Sequence, residues 1–162
     1  MFRNMRRHKQ ALAPEQCRAI LERGTSGVLA LAGDDGYPYA LPISYVYDGE
    51  RLYFHCAKTG HKLDAIRRCE KASFCVIDQD QVIPQRYTTY YRSVIAFGRM
   101  RILEEGAEFM SAIEKLAEKY APAQTMDQHH AEINSSLGSL CLLSMEIDHM
   151  TGKQCRELME RA

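Results

Sequence analysis

Residues 27–57 read GVLALAGDDGYPYALPISYVYDGERLYFHCA, three apolar or alternating runs divided by two turn sequences. Gly27 to Ala32 is short and apolar, and Gly33-Asp34-Asp35-Gly36 behind it has the composition of a tight turn. Tyr37 to Tyr47 alternates up to a second turn, Asp48-Gly49-Glu50, and Arg51 to Ala57 makes a third run. The three runs are expected to form an antiparallel meander joined by tight turns.

Upstream, Pro14 to Arg23 reads as a short helix: Pro14 suits the first helical position, Cys17, Ile20 and Leu21 make one stripe, and Gly24 suits the cap. Downstream, His61 to Arg68 is a second short helix with Leu63 and Ile66 inward. Ala72 to Ile77 and Ser93 to Leu103 are the fourth and fifth strands. The polar, aromatic segment Gln79 to Tyr91 between them is long for a turn. Glu105 to Tyr120 is the clearest amphipathic helix, with Phe109, Ile113, Leu116 and Tyr120 on one stripe. Ala121 to Ser136 is expected as loop with a helical turn or two. Leu140 to His149 is the last strand, followed by a turn at Met150-Thr151-Gly152-Lys153. Five or six strands with interspersed helices suggest a mostly β protein, a closed or partly closed antiparallel barrel. One domain is expected over 1–162, with residues 1–12 as a flexible arm.

Composition narrows the function. Lys plus Arg and Asp plus Glu are both 21, so the net charge is zero, and no electrostatic case exists for nucleic acid or an anionic membrane. Arg3, Arg6, Arg7 and Lys9 cluster near the N-terminus, which is weak evidence for such partners. No apolar run approaches the ~20 residues that span a bilayer. The basic N-terminus lacks the apolar stretch of a signal peptide, so a cytoplasmic protein is expected. Cys17, Cys56, Cys69, Cys75, Cys141 and Cys155 form no CxxC pair and are expected as buried free thiols. His129 and His130 are adjacent in a polar stretch, and His55 and His61 have no cysteine or carboxylate partner at ligand spacing, so no metal site is expected.

Chemistry gathers at Lys58-Thr59-Gly60-His61-Lys62, just ahead of Leu63. The start of a helix exposes unpaired N–H groups and the positive end of its dipole, where cations normally cost roughly 0.3–1 kcal/mol each. This helix nevertheless carries Lys58, His61 and Lys62 there, and its first acid is Asp64. A bound phosphate would reverse those costs; solvated lysines on a surface turn are the plainer account. Along Tyr37 to Tyr47, alternation puts Tyr37, Tyr39, Leu41, Ile43, Tyr45 and Tyr47 on one face, and Pro38, Ala40, Pro42, Ser44 and Val46 on the other. Pro38 and Pro42 remove donors from one edge, marking a sheet border or barrel mouth. A flat ring could lie on that small-residue face, or the prolines serve only to protect an edge. Tyr91 and Ser93 offer hydroxyls at the start of the fifth strand, and Lys153 follows the last one; each also suits an ordinary surface position.

The chain resembles the pyridoxamine-phosphate-oxidase-like split barrels, and within them the Nim-type 5-nitroimidazole reductase group. The resemblance rests on Gly27-Val28-Leu29-Ala30, Asp35-Gly36-Tyr37-Pro38-Tyr39-Ala40-Leu41-Pro42, Tyr53-Phe54-His55, Gly60-His61-Lys62-Leu63-Asp64-Ala65-Ile66, Tyr91-Arg92-Ser93-Val94-Ile95-Ala96-Phe97-Gly98 and Thr151-Gly152-Lys153, in order. It implies a six-stranded antiparallel split β-barrel and a homodimer with FMN at its interface. His61 and Lys62, with Lys58 nearby, would hold the FMN phosphate. Ala40, Leu41, Pro42, Ile43 and Ser44 on one strand, and His55, Cys56 and Ala57 on another, would flank the isoalloxazine. Tyr91 and Ser93 would reach it from the partner subunit, with Lys153 a looser counterpart.

Two departures separate the chain from pyridoxamine phosphate oxidases proper: His61 stands where they carry arginine, and the chain has no tryptophan. The expected activity is therefore an FMN-dependent oxidoreductase (FAD shares the same phosphate) acting on nitro or other electron-poor small molecules. His61 is the candidate catalytic group, since histidine readily gives and takes a proton at neutral pH. The alternatives are a non-catalytic flavin-binding protein for storage or sensing, and haem binding on the same fold through His55 or His149.

Overall fold

The runs on either side of the first turn do fold as strands, β1 (Ser26–Ala32) and β2 (Pro38–Ser44), with β3 (Val46–Tyr47) and β4 (Arg51–Ala57) after them and α1 (Pro14–Arg23) ahead of them. They belong to a computed structural model that describes residues 1–159; residues 160–162, the end of the domain expected over 1–162, lie outside the described residues. The remaining elements are α2 (His61–Arg68), β5 (Lys71–Ile83), β6 (Thr88–Ile102), α3 (Ala107–Tyr120), α4 (Met126–Ser136), β7 (Leu140–Gln154) and the short α5 (Arg156–Met159).

All pairings are antiparallel, in the order β2-β1-β5-β6-β7-β4-β3. The expected six-stranded split barrel, closed or partly closed, is thereby corrected to an open sheet of seven strands among the described residues. The extra strand arises because the Tyr37–Tyr47 segment is broken at Tyr45. There the Tyr120 hydroxyl accepts the Tyr45 N–H at 2.9 Å and faces the carbonyl oxygens of Tyr45, also at 2.9 Å, and of Thr25. Backbone groups satisfied by a side chain no longer need a ladder partner. The alternation still runs in phase through the break, and Tyr39, Leu41, Ile43, Tyr45 and Tyr47 all pack on the main core. β2 and β3, the two edge strands, are thus consecutive halves of one segment, and β2 also contacts β4.

Three further expectations are revised. Gln79 to Tyr91 is the tip of a long hairpin in which Gln79 pairs with Arg92 and Ile83 with Thr88, after an irregularity at Ile77/Gln79. The extra residue there, Asp78, is held by Arg23 at 2.7 Å and Arg92 at 3.3 Å. Met150 to Lys153 is strand, because each residue finds a partner on β6 from Ala96 back to Ser93. Residues 126–136 form a full helix capped by Thr125, whose hydroxyl accepts the Gln128 N–H while Gln128 returns a bond to the Thr125 N–H.

The inner face of the sheet carries Leu29, Phe74, Val94 and Leu143, all fully buried, and is plugged by Cys17, Ile20 and Leu21 of α1 and Leu63, Ala65 and Ile66 of α2. α3 and α4 cover the other side of β3, β4 and the first half of β7, through Phe109, Ile113, Leu116 and Ile133 against Val46, Tyr53 and Leu142. Among the described residues no helix covers the same side of β2, β1, β5, β6 and the second half of β7, where Phe2 of the N-terminal arm lies over Phe97 and His149. Cross-strand pairing aligns Pro42, Val28, Cys75, Ile95 and Thr151 there in one row, and Ala40, Ala30, Ser73, Phe97 and His149 in the next. Val28 and Ile95, at the centre of this apolar face, stay 38% and 37% exposed. All six cysteines are free, as expected, but only Cys17, Cys141 and Cys155 are buried; Cys56, Cys69 and Cys75 are half-buried. Among the described residues no helix is long and apolar enough to cross a membrane.

Candidate functional site

The start of α2 is built as an open helix mouth. Gly60 precedes it at φ +131°, a conformation that favours glycine, and no side chain caps the helix. The Gly60 carbonyl accepts the N–H groups of Leu63 and Asp64. The N–H groups of the first turn otherwise lack intrahelical acceptors, as at any helix start. Lys58 is exposed and Lys62 half-buried at this mouth, and neither forms an ion pair among the described residues.

His61 is differently placed from what its sequence neighbours suggest. Its ring stacks on Tyr39 at 4.1 Å, and its Nε2 lies 3.2 Å from Asp34 Oδ2. Asp34 also holds Arg68, from the last turn of α2, at 2.6 Å. Asp64 is the acid of the helix's own first turn, as expected, and Asp34, delivered by the β1–β2 turn, is a second acid at its mouth. Sequence reasoning treated Asp34 as a turn residue only. Its sole signal there was one acid more than the turn required.

The strands flanking the mouth divide their side chains by face. Leu41 and Ile43 of β2 and Cys56 of β4 pack toward the main core, while Ala40, Pro42, His55 and Ala57 are exposed on the opposite side and Ser44 is half-buried there. Of the eight strand residues expected to flank a ring, the structure thus offers these five as a surface and turns three inward. The Cys56 thiol is pushed up to about 11, mainly by burial, against the opposing pull of the Lys62 charge and with Cys141 beside it. Burial thus disfavours the thiolate at this position.

Tyr91, Ser93 and Lys153 form a second group. Ser93 pairs with Lys153 across the β6–β7 ladder, and the Lys153 Nζ lies 5.2 Å from the centre of the Tyr91 ring. Thr151-Gly152-Lys153 sits where the N-terminal arm meets the sheet: the Leu12 N–H donates to the Gly152 carbonyl at 3.0 Å, and Ala11 bridges to Lys153. A Cβ at Gly152 would overlap Cys17 Sγ and Leu12, so close packing of arm and α1 requires glycine. Within one chain the two groups stay apart, since β1 and β5 lie between β2 and β6, a gap of about 14 Å at ordinary strand spacing. His55 is exposed on β4; His149 stacks under Phe2 of the arm at 4.6 Å.

Residues 13–154 match the family model described as pyridoxamine 5'-phosphate oxidase. Uncharacterized protein RA0666 of Rhizobium meliloti (strain 1021) is 26% identical over 151 residues, covering 89% of this chain and 93% of that protein. Among solved structures, a protein of Bacteroides thetaiotaomicron VPI-5482 proposed to confer 5-nitroimidazole antibiotic resistance superposes with a TM-score of 0.76 at 18% identity, over 89% of this chain and 86% of the other. The FAD and heme binding protein of Mycobacterium smegmatis gives 0.72 at 21% identity, over 91% and 74%. At such identities the two structures share the fold with this chain.

Proposed function

The chain belongs to the pyridoxamine 5'-phosphate oxidase family, and from that premise we propose that it is a homodimeric flavoprotein, an FMN-dependent oxidoreductase for nitro or other electron-poor small molecules. The carrying observation is the uncapped mouth of α2, with Lys58 and Lys62 unpaired among the described residues, beside the exposed small-residue face of β2. A flavin phosphate there would gain the helix amides and two cations at once. The isoalloxazine would lie on Ala40 and Pro42, with Ser44, His55 and Ala57 at its margin. Flavin, when bound, supplies the electron transfer; the protein supplies binding, orientation and electrostatics. FAD carries the same proximal phosphate, and a relative in fold carries a name that mentions FAD.

The dimer reading rests on the apolar rows through Val28 and Ile95, which stay more than a third exposed, with Phe2 of the N-terminal arm lying over Phe97 and His149 at their margin. A second copy seated there would bury side chains that fold into no core of their own chain. It would also carry its own Tyr91, Ser93 and Lys153 toward the flavin of the first, joining two groups that one chain keeps apart. Titrating purified protein with FMN while recording its absorption is expected to give shifted flavin bands saturating at one FMN per chain. Sedimentation of the same sample should return twice the 18.5 kDa chain mass. A colourless protein that leaves FMN free would remove the phosphate cradle and the enzyme reading together.

His61, held by Asp34 and Tyr39, would hand a proton to the phosphate or to a reduced substrate. His61→Ala is expected to lower FMN affinity and turnover together, roughly 10-fold each, a loss typical of one charge-assisted contact. Unchanged affinity with unchanged turnover would remove His61 from the site.

A further inference from the structure

Arg6, Arg7, His8 and Lys9 stand together ahead of α1. Their segment closes a single 3-10 turn, with the Gln10 N–H on the Arg7 carbonyl at 2.9 Å and the Ala11 N–H on the His8 carbonyl at 3.1 Å. The Leu12 and Ala11 contacts to β7 then anchor it to the sheet. This turn faces Arg156 at the start of α5, from the other end of the chain, across an open cleft of about 870 Å³. Among the described residues, five basic residues line that cleft and no carboxylate does. Among the described residues, none of Arg6, Arg7, Lys9 and Arg156 is ion-paired.

A second observation is independent of the charge. Gln10 lines the same cleft, is only 6% exposed, and its amide oxygen is buried without a hydrogen-bond partner. A buried amide atom left unpaired costs about 1–3 kcal/mol. Turned over, the same amide places an N–H donor there, the group an anion oxygen accepts from. Crowded like charges and an orphaned amide are both relieved by one kind of occupant.

We propose that this cleft binds a phosphate-bearing anion of at least two negative charges, at a site separate from the mouth of α2. Arginine forks grip phosphate oxygens in pairs, which favours phosphate over a monovalent carboxylate. The cations are exposed, so binding weakens as salt rises. The site does not depend on the flavin reading.

The test is calorimetric titration of the full chain with inorganic pyrophosphate, with and without saturating FMN. One pyrophosphate per chain is expected in both conditions. Arg156→Gln and Arg7→Gln should each weaken it at least 10-fold, about one lost charge-assisted contact. Gln10→Met should weaken it severalfold with an unchanged or higher melting temperature, which a merely structural role would not produce. ADP binding tighter than pyrophosphate identifies a nucleotide as the source of the phosphates; equal binding identifies free polyphosphate. No saturable binding in the millimolar range, binding abolished by FMN, or binding indifferent to Arg156→Gln overturns the proposal. Failure of FMN to bind would leave this result standing.

Discussion

Gly98→Ala is expected to be the most damaging single-methyl substitution in the protein. Gly98 lies at the β6–β7 irregularity, where Phe97 pairs with His149 but Gly98 with Ile147, leaving Asp148 as the extra residue. A Cβ at position 98 would overlap the carbonyl oxygen of Glu146, and the obstacle is backbone rather than a movable side chain. Relief requires β6 to separate from β7 at the centre of the sheet. Overpacking of well-packed cores costs about 1–3 kcal/mol, and a rigid backbone obstacle belongs at or above the top of that range. For a chain of this length, 3 kcal/mol is a fall in melting temperature of roughly 6–12 °C. Thermal unfolding followed by circular dichroism measures it. A fall under about 2 °C would show that the ladder opens locally at little cost.

The same irregularity decides which β7 side chains the outer face of the sheet receives. Before it, Cys141, Leu143, Met145 and Ile147 point to the core; after it, Met150 and Gly152 do, and His149, Thr151 and Lys153 point out. Without the one-residue shift, Lys153 would face Cys17 and Leu12 instead of the outer surface. Such bulges re-aim side chains in this way.

Lys62→Glu is expected to weaken FMN binding about 100-fold while leaving riboflavin binding within about threefold. The variant removes a charge-assisted contact worth about 1.5–3 kcal/mol and adds a like charge beside the phosphate, and each 1.4 kcal/mol is tenfold. Riboflavin lacks the phosphate but keeps the isoalloxazine, so comparing the two by fluorescence quenching separates cradle from ring platform. An equal loss for both ligands would mean that Lys62 acts through the local fold, and an equal indifference that the phosphate sits elsewhere.

Much of the framework was open to inspection in the residues themselves. β4 and α2 have the expected bounds, and β1 and α1 are in place to within a residue, because each combines a clear periodicity with a strong boundary signal. The β5–β6 hairpin was harder. Gln79 to Tyr91 is polar and exposed along much of its length, so it lacks the buried face that makes a strand visible. α4 has only a weak apolar stripe, and its capping box at Thr125 and Gln128 was the signal to weigh. At the candidate site, Lys58, Gly60 and Lys62 were legible because cations at a helix start contradict the dipole. Asp34 was not, since its partners His61 and Arg68 lie 27 and 34 positions away.

By itself the sequence determined the local elements, the two faces of β2 and the unusual charge at the mouth of α2. Those depend on near neighbours, through side-chain period, turn chemistry and helix polarity. Tertiary structure alone decided that Tyr120 splits one strand into two and that Asp34 serves His61. It also decided that five strands share an apolar face on which, among the described residues, no helix packs, and that Arg156 closes a basic cleft with the N-terminal turn. Each of these joins residues far apart in the chain, and a contact of that kind exists only once the sheet has set which strands are neighbours.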